Sequence, residues 1–176
     1  MRINTLALVG VGLIGGSVGL AARKRGLAGR ILGVGNRPEV LQRARARGAI
    51  DETRPDVRSL ADADVIVFCA PVDLIAAQVV EAALACKPAA LLTDAGSTKA
   101  AIVRDVERRL PLGAAFVGGH PLAGSEKQGP EHANAELFEG RLVVLTPTTH
   151  TDDKALSLAK ALWESLGAQV RLMDPE

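Results

Sequence analysis

Three stretches of this chain hold residue types that can do chemistry together. The first is Gly10-Val11-Gly12-Leu13-Ile14-Gly15, a G-x-G-x-x-G spacing. Gly10 suits a tight turn, Gly12 leaves the backbone bare for a pyrophosphate, and Gly15 lets a helix pack close to a strand. If a helix opens at Leu13, its free N–H groups and partial positive charge face the same phosphates. The second stretch, Gly118-Gly119-His120-Pro121-Leu122-Ala123-Gly124-Ser125-Glu126, sets one imidazole among glycines and a proline. Imidazole titrates near neutrality, so His120 can accept the proton of a hydroxyl that is becoming a carbonyl. Glu126 can orient that ring, restrict entry to the pocket or bind a polar group of the substrate. The third is Asp94-Ala95-Gly96-Ser97-Thr98-Lys99. There Gly96 allows close backbone approach, and Ser97 offers a hydroxyl as helix cap, as ligand contact, or as both.

Two further positions concern the cofactor. An acidic residue about 20 positions beyond the glycine loop grips the ribose 2′-hydroxyl in NAD-binding folds. Here that region reads Gly35-Asn36-Arg37, without a carboxylate and with a guanidinium suited to a 2′-phosphate. The expectation is NADP, with NAD as the alternative; the plainer reading of Arg37 is a solvated residue at a helix start. Cys69-Ala70-Pro71-Val72 ends an aliphatic strand, where Pro71 and Val72 either pack on the ribose or nicotinamide or only set up the next helix.

These residues need a scaffold, and the hydrophobic pattern supplies one. Aliphatic runs predict strands at 5–9, 30–34, 63–69, 89–93, 115–117, 142–145 and 168–172. Amphipathic segments predict helices at 13–25, 38–47, from a cap at Asp73 to 85, from a cap at Ser97 or Thr98 to 109, and from Asp152 to 166. Gly26 and Gly48 read as helix stops. Residues 118–140 are left as a long polar segment, too long for a plain connection. Strand–helix alternation implies a Rossmann-type, doubly wound α/β fold: a mainly parallel sheet with helices on both faces, forming one domain over 1–176.

Composition narrows the function classes. Net charge is +1 and aromatics are 2% of 176 residues, which argues against a nucleic-acid or membrane surface. Cys69 and Cys86 read as buried thiols, His132 and His150 as surface residues, and no Cys/His spacing suggests a metal site. With no export signal before the first strand, a cytoplasmic protein is expected.

The segments Gly10–Ser17, Asp94–Lys99 and Gly118–Glu126, with Leu137-Phe138-Glu139-Gly140 and Leu145-Thr146-Pro147, resemble the signature stretches of prephenate/arogenate dehydrogenases. The resemblance runs from about Thr5 to the last residue, and its His-Pro segment is the specific part. It implies oxidative decarboxylation in tyrosine biosynthesis, with prephenate or arogenate as substrate. It also implies that His120 takes the ring-hydroxyl proton, that Ser97 hydrogen-bonds nearby and that Glu126 shapes the pocket. Family members continue into a helical domain that dimerises and supplies cations for the substrate carboxylates. The chain therefore reads as the cofactor-binding part, with a homodimer expected for the full-length member. The competing readings are another Rossmann dehydrogenase of the β-hydroxyacid type and a nucleotide-binding module without chemistry.

Overall fold

The aliphatic runs become strands because Val, Ile and Leu pack well on a pleated surface covered on both sides. The computed structural model describes residues 1–176. The strands are β1 Ile3–Val9, β2 Ala28–Val34, β3 Glu52–Arg54, β4 Val65–Phe68, β5 Leu91–Asp94, β6 Ala115–Pro121, β7 Leu142–Thr146 and β8 Gln169–Leu172. The helices are α1 Leu13–Lys24, α2 Pro38–Ala46, α3 Val72–Ala83, α4 Ala100–Glu107 and α5 Asp153–Ser165. Single 3-10 turns lie at Val57–Ser59 and Pro130–His132.

All eight strands join one sheet in the order β3-β2-β1-β4-β5-β6-β7-β8. Pairing is parallel from β3 through β6, antiparallel between β6 and β7, and parallel again between β7 and β8. The strand order reverses between β1 and β4, so a crevice opens at their carboxyl ends. Two cores follow from the alternation of side chains along each strand. One, under α1, α2 and α5, holds Leu6, Leu8, Val18, Leu41 and Trp163; the other, under α3 and α4, holds Phe68, Ile75, Leu92 and Val106. This is the doubly wound sheet expected, with helices on both faces. No helix is long and apolar enough to cross a membrane.

Several local expectations need correction. The edge strand β3 lies in a polar stretch that carries no aliphatic run; its pairing to β2 supplies the order that its own sequence does not signal. Strand β6 runs four residues beyond Val117, because Gly118 to Pro121 pair with Thr146 to Val143 of β7. His120 is thus inside a strand, not after one. Asp73 does not cap α3, which starts at Val72 behind Pro71. Neither Ser97 nor Thr98 caps α4, whose boundary residue is Lys99. Asp152 does cap α5, accepting from the Ala155 N–H at 2.9 Å. Gly26 and Gly48 end α1 and α2 in the left-handed region, as read. His132 and His150 are exposed. Cys69 and Cys86 are half-buried rather than fully buried.

Candidate functional site

The glycine loop is built by close approach at two of its three glycines and by open space at the third. Gly10 sits at φ +86°, and a Cβ there would lie 2.7 Å from the Cys69 carbonyl oxygen. Its N–H donates to the Val34 carbonyl at 2.8 Å, so the turn is tied to β2 on one side and to β4 on the other. A Cβ at Gly15 would lie 2.1 Å from the Gly10 carbonyl oxygen. Around a Cβ at Gly12 there is no heavy atom within 4 Å. The loop is thus tight where protein meets protein and bare where a ligand would come. Helix α1 begins at Leu13 with no side-chain cap and no acidic residue in its first turn, which leaves its leading N–H groups available to an anion.

From this loop a cavity of about 590 Å³ runs toward the ends of β2 and β4. It is lined by Gly10 and Gly12 of the loop, by Asn36 and Arg37 after β2, and by Cys69, Ala70 and Pro71 after β4. Seven of the residues read as cofactor contacts therefore line one cavity. Leu13, Ile14 and Gly15 lie in the first turn of α1 beside it. Val72 opens α3 and packs on the α3–α4 core, while Gly96 is buried. A Cβ at Gly96 would meet Ile75 and Ile102 at 2.9 and 3.0 Å, so packing uses that glycine. Asp56 and Glu81 also line the cavity, and the spacing rule did not point to them. Asp56 accepts from Ser59 N–H at 3.1 Å, and Glu81 pairs with Arg58. Burial and the Asp94 carboxylate push the Cys69 thiol up, so it stays protonated.

His120 lies on the same edge of the sheet, two strands from the loop-bearing strand pair, and is partly exposed. Burial and the charge of Lys99 hold its imidazole below the ordinary value of 6.5, against the opposing pull of Asp94. It is therefore neutral near neutral pH, the state that accepts a proton. The segment beyond it returns to the glycine loop, where Ile14 Cδ1 lies 3.6 Å from a Cβ placed at Gly124. Ser97 and Glu126 are exposed and make no side-chain hydrogen bond. The structure brings His120 and the glycine loop to one edge, and it leaves Ser97 and Glu126 exposed and without a hydrogen bond to the imidazole.

Two residues to which the sequence reading gave no role, the ends of the Asp94–Lys99 stretch, form the ground beneath His120. Asp94 is fully buried and Lys99 nearly so. The Lys99 ammonium donates to the Asp94 carboxylate and, at 2.9 Å, to the Gly119 carbonyl oxygen. Asp94 in turn accepts from the N–H groups of Gly96 at 2.9 Å and Gly119 at 3.0 Å. Burial pushes the Asp94 carboxyl up and the Lys99 ammonium down, and each partner opposes that pull on the other. They open and close the third stretch quoted above, where the sequence reading gave roles to Gly96 and Ser97 and none to these two. Ser17, in the first half of α1, is a third such residue. Its hydroxyl accepts from Asn134 N–H at 2.9 Å and donates to the Leu13 carbonyl, tying the long segment to α1.

A somewhat larger cavity, about 630 Å³, lies at the opposite edge between α4 and the start of β6. It gathers none of the glycine-loop, Asp94 or His120 groups, so the smaller one is the candidate site.

Known proteins share this arrangement. Residues 18–172 match the family described as prephenate dehydrogenase, nucleotide-binding domain. The prephenate dehydrogenase of Bacillus subtilis (strain 168) is 35% identical over 175 residues, which are 98% of this chain and 47% of that protein. The crystal structure of prephenate dehydrogenase from A. aeolicus in complex with hydroxyphenyl propionate and NAD+ superposes with a TM-score of 0.92 at 36% identity, covering 99% of this chain and 61% of that one. Synechocystis arogenate dehydrogenase gives a TM-score of 0.88 at 33% identity, covering 97% of this chain and 60% of that one. The chain spans about half the length of the curated relatives it matches. With the glycine loop, the strand order and a match over most of its length in agreement, the chain belongs to the family of prephenate dehydrogenase nucleotide-binding domains.

Proposed function

We propose that this chain is the cofactor domain of a prephenate or arogenate dehydrogenase, one domain over 1–176, and that it takes NADP in preference to NAD. The observation that carries the reading is the bare side of Gly12. A Cβ there would meet nothing of the protein but would fill the mouth above the α1 N-terminus, where a pyrophosphate needs the room. The cavity then leads to Arg37, which is exposed and has no carboxylate partner, unlike its neighbour Arg43. A guanidinium so placed pairs with a 2′-phosphate.

In the reaction, the bound nicotinamide supplies the hydride acceptor. Gly10, Gly12 and the leading N–H groups of α1 hold the phosphates. Asn36 and Arg37 select the adenosine end, and Pro71 borders the ribose. The neutral His120 imidazole takes the proton of the ring hydroxyl as that carbon loses its hydride, and carbon dioxide leaves as the ring becomes aromatic. Ser97 hydrogen-bonds the same hydroxyl, and Glu126 closes the polar side of the pocket. The A. aeolicus relative, with hydroxyphenyl propionate and NAD+ bound, supports a hydroxyphenyl-type ligand beside a nicotinamide dinucleotide.

Calorimetric titration with NADP and with NAD tests the cofactor half. Tighter binding of NADP is expected; tighter binding of NAD overturns the preference, and binding of neither overturns the site. Turnover of prephenate and arogenate by the protein in its full length tests the other half.

A further inference from the structure

The parallel ladder between β5 and β6 stops at Thr93 and Val117, because β5 ends at Asp94 while β6 continues to Pro121. Beyond that point β6 has no strand neighbour on its β5 side. Unpaired N–H and C=O groups there would be buried without partners, which is costly. Gly119 meets this with side chains: its N–H donates to Asp94 Oδ1 at 3.0 Å and its C=O accepts from Lys99 Nζ at 2.9 Å. The two side chains also bond each other. One ion pair thus stands where the next residue of β5 would have been.

We propose that Asp94 and Lys99 are positioning residues for His120, gripping Gly119 at both its N–H and its C=O and setting one buried ammonium on the carbonyl that joins it to His120. The inference rests on the reading of His120 as proton acceptor. Gly119 precedes His120 directly, so the grip fixes the backbone from which the imidazole projects. Gly119 is also bare by necessity, since a Cβ there would lie 2.5 Å from the Asp94 carbonyl oxygen. Among charges on the elements packed around His120, Lys99 favours the neutral ring and Asp94 opposes it. The others are farther along the scaffold. Arg171 on β8 lies in register with Val144, itself opposite His120, and Glu126 and Lys127 lie in the exposed loop beyond. A buried ammonium without its carboxylate would be costly, and a buried carboxylate alone equally so, which is why the grip needs both members.

The test is an NMR titration of the His120 ring in this chain, with no ligand, for wild type, K99M and K99R. The His120 midpoint is expected to rise in K99M, which keeps the stem and removes the charge, and to hold in K99R. A folded K99M with an unmoved midpoint overturns the proposal. Should K99M fail to fold, the D94N/K99M double variant carries no lone buried charge; because it also removes the opposing pull of Asp94, its midpoint is expected to rise by less than in K99M, and a midpoint at or below that of wild type overturns the proposal. The titration needs neither substrate nor cofactor. Absent turnover with the expected shift therefore overturns the proposed activity alone, and normal turnover with no shift overturns this inference alone.

Discussion

A methyl group on Gly15 would sit 2.1 Å from the carbonyl oxygen of Gly10. The first and third glycines of the loop therefore depend on each other, and the second does not share that dependence. Gly15→Ala forces β1 and α1 apart and is expected to cost about 1–3 kcal/mol of stability, the range for overpacking a close contact. Gly12→Ala meets no atom within 4 Å and is expected to fold with an unchanged urea midpoint while losing dinucleotide affinity. Equal effects of the two substitutions on stability would contradict this division.

His120→Asn keeps a polar side chain of similar reach and removes the proton acceptor. Cofactor affinity is expected to stay, and turnover by the full-length protein to fall roughly 10²–10⁴-fold, the usual contribution of a general base. The same group predicts a pH profile. Because burial and Lys99 hold the imidazole below 6.5, kcat/KM is expected to persist below that pH and fall only as the ring protonates. An acidic limb centred above 6.5 would remove His120 from the role.

Arg37→Ala tests the adenosine end. Loss of one charge-assisted contact to the 2′-phosphate is expected to weaken NADP roughly tenfold, about 1.4 kcal/mol, and to leave NAD unchanged. Parallel calorimetry with both cofactors reads the difference. Equal losses would mean that Arg37 acts on the adenosine as a whole.

Two aspartates at the opposite edge of the sheet are expected to contribute stability that acid removes. Asp51 accepts from Ile31 N–H at 2.7 Å and Asp64 from Thr5 N–H at 2.8 Å. Burial raises each carboxyl, but hydrogen bonds from Arg23 and Ile31 to Asp51, and from Lys87 and Thr5 to Asp64, outweigh it and leave both below 3.8. A depressed folded value means that the stabilisation is present above 3.8 and is lost as pH falls through the folded value. Replacing both by Asn is expected to lower the urea midpoint at neutral pH and to flatten its decline on acidification. An unchanged acid slope would assign that decline to other carboxylates.

Much of the scaffold was legible because the aliphatic runs of β1, β4 and β5 are buried on both faces and leave little choice of structure. Strand β3 was not, since Glu52-Thr53-Arg54 owes its extension to β2 rather than to its own side chains. The end of β6 was hidden for a related reason. Gly118, Gly119 and Pro121 are poor strand formers, and only the approach of β7 makes them one. The glycine loop and His120 could be read because each needs an unusual residue at a fixed place. The stretch bounded by Asp94 and Lys99 was legible too, but the role of its two ends was not, because an acid and a base five residues apart are common on surfaces, and nothing in their spacing reveals that a neighbouring strand has run out.

Trp163 adds a practical consequence. It is fully buried, packs edge-on against Phe138 at 5.4 Å, and holds its indole nitrogen 3.4 Å from a Cβ placed at Gly119. It is the single tryptophan of a chain that has no tyrosine. The tryptophan emission of the protein therefore comes from one place, at the joint between the strand that carries His120 and the long segment that contains Phe138. The molecule carries its own optical gauge: any ligand that stirs that strand changes the colour or yield of the only lamp there is.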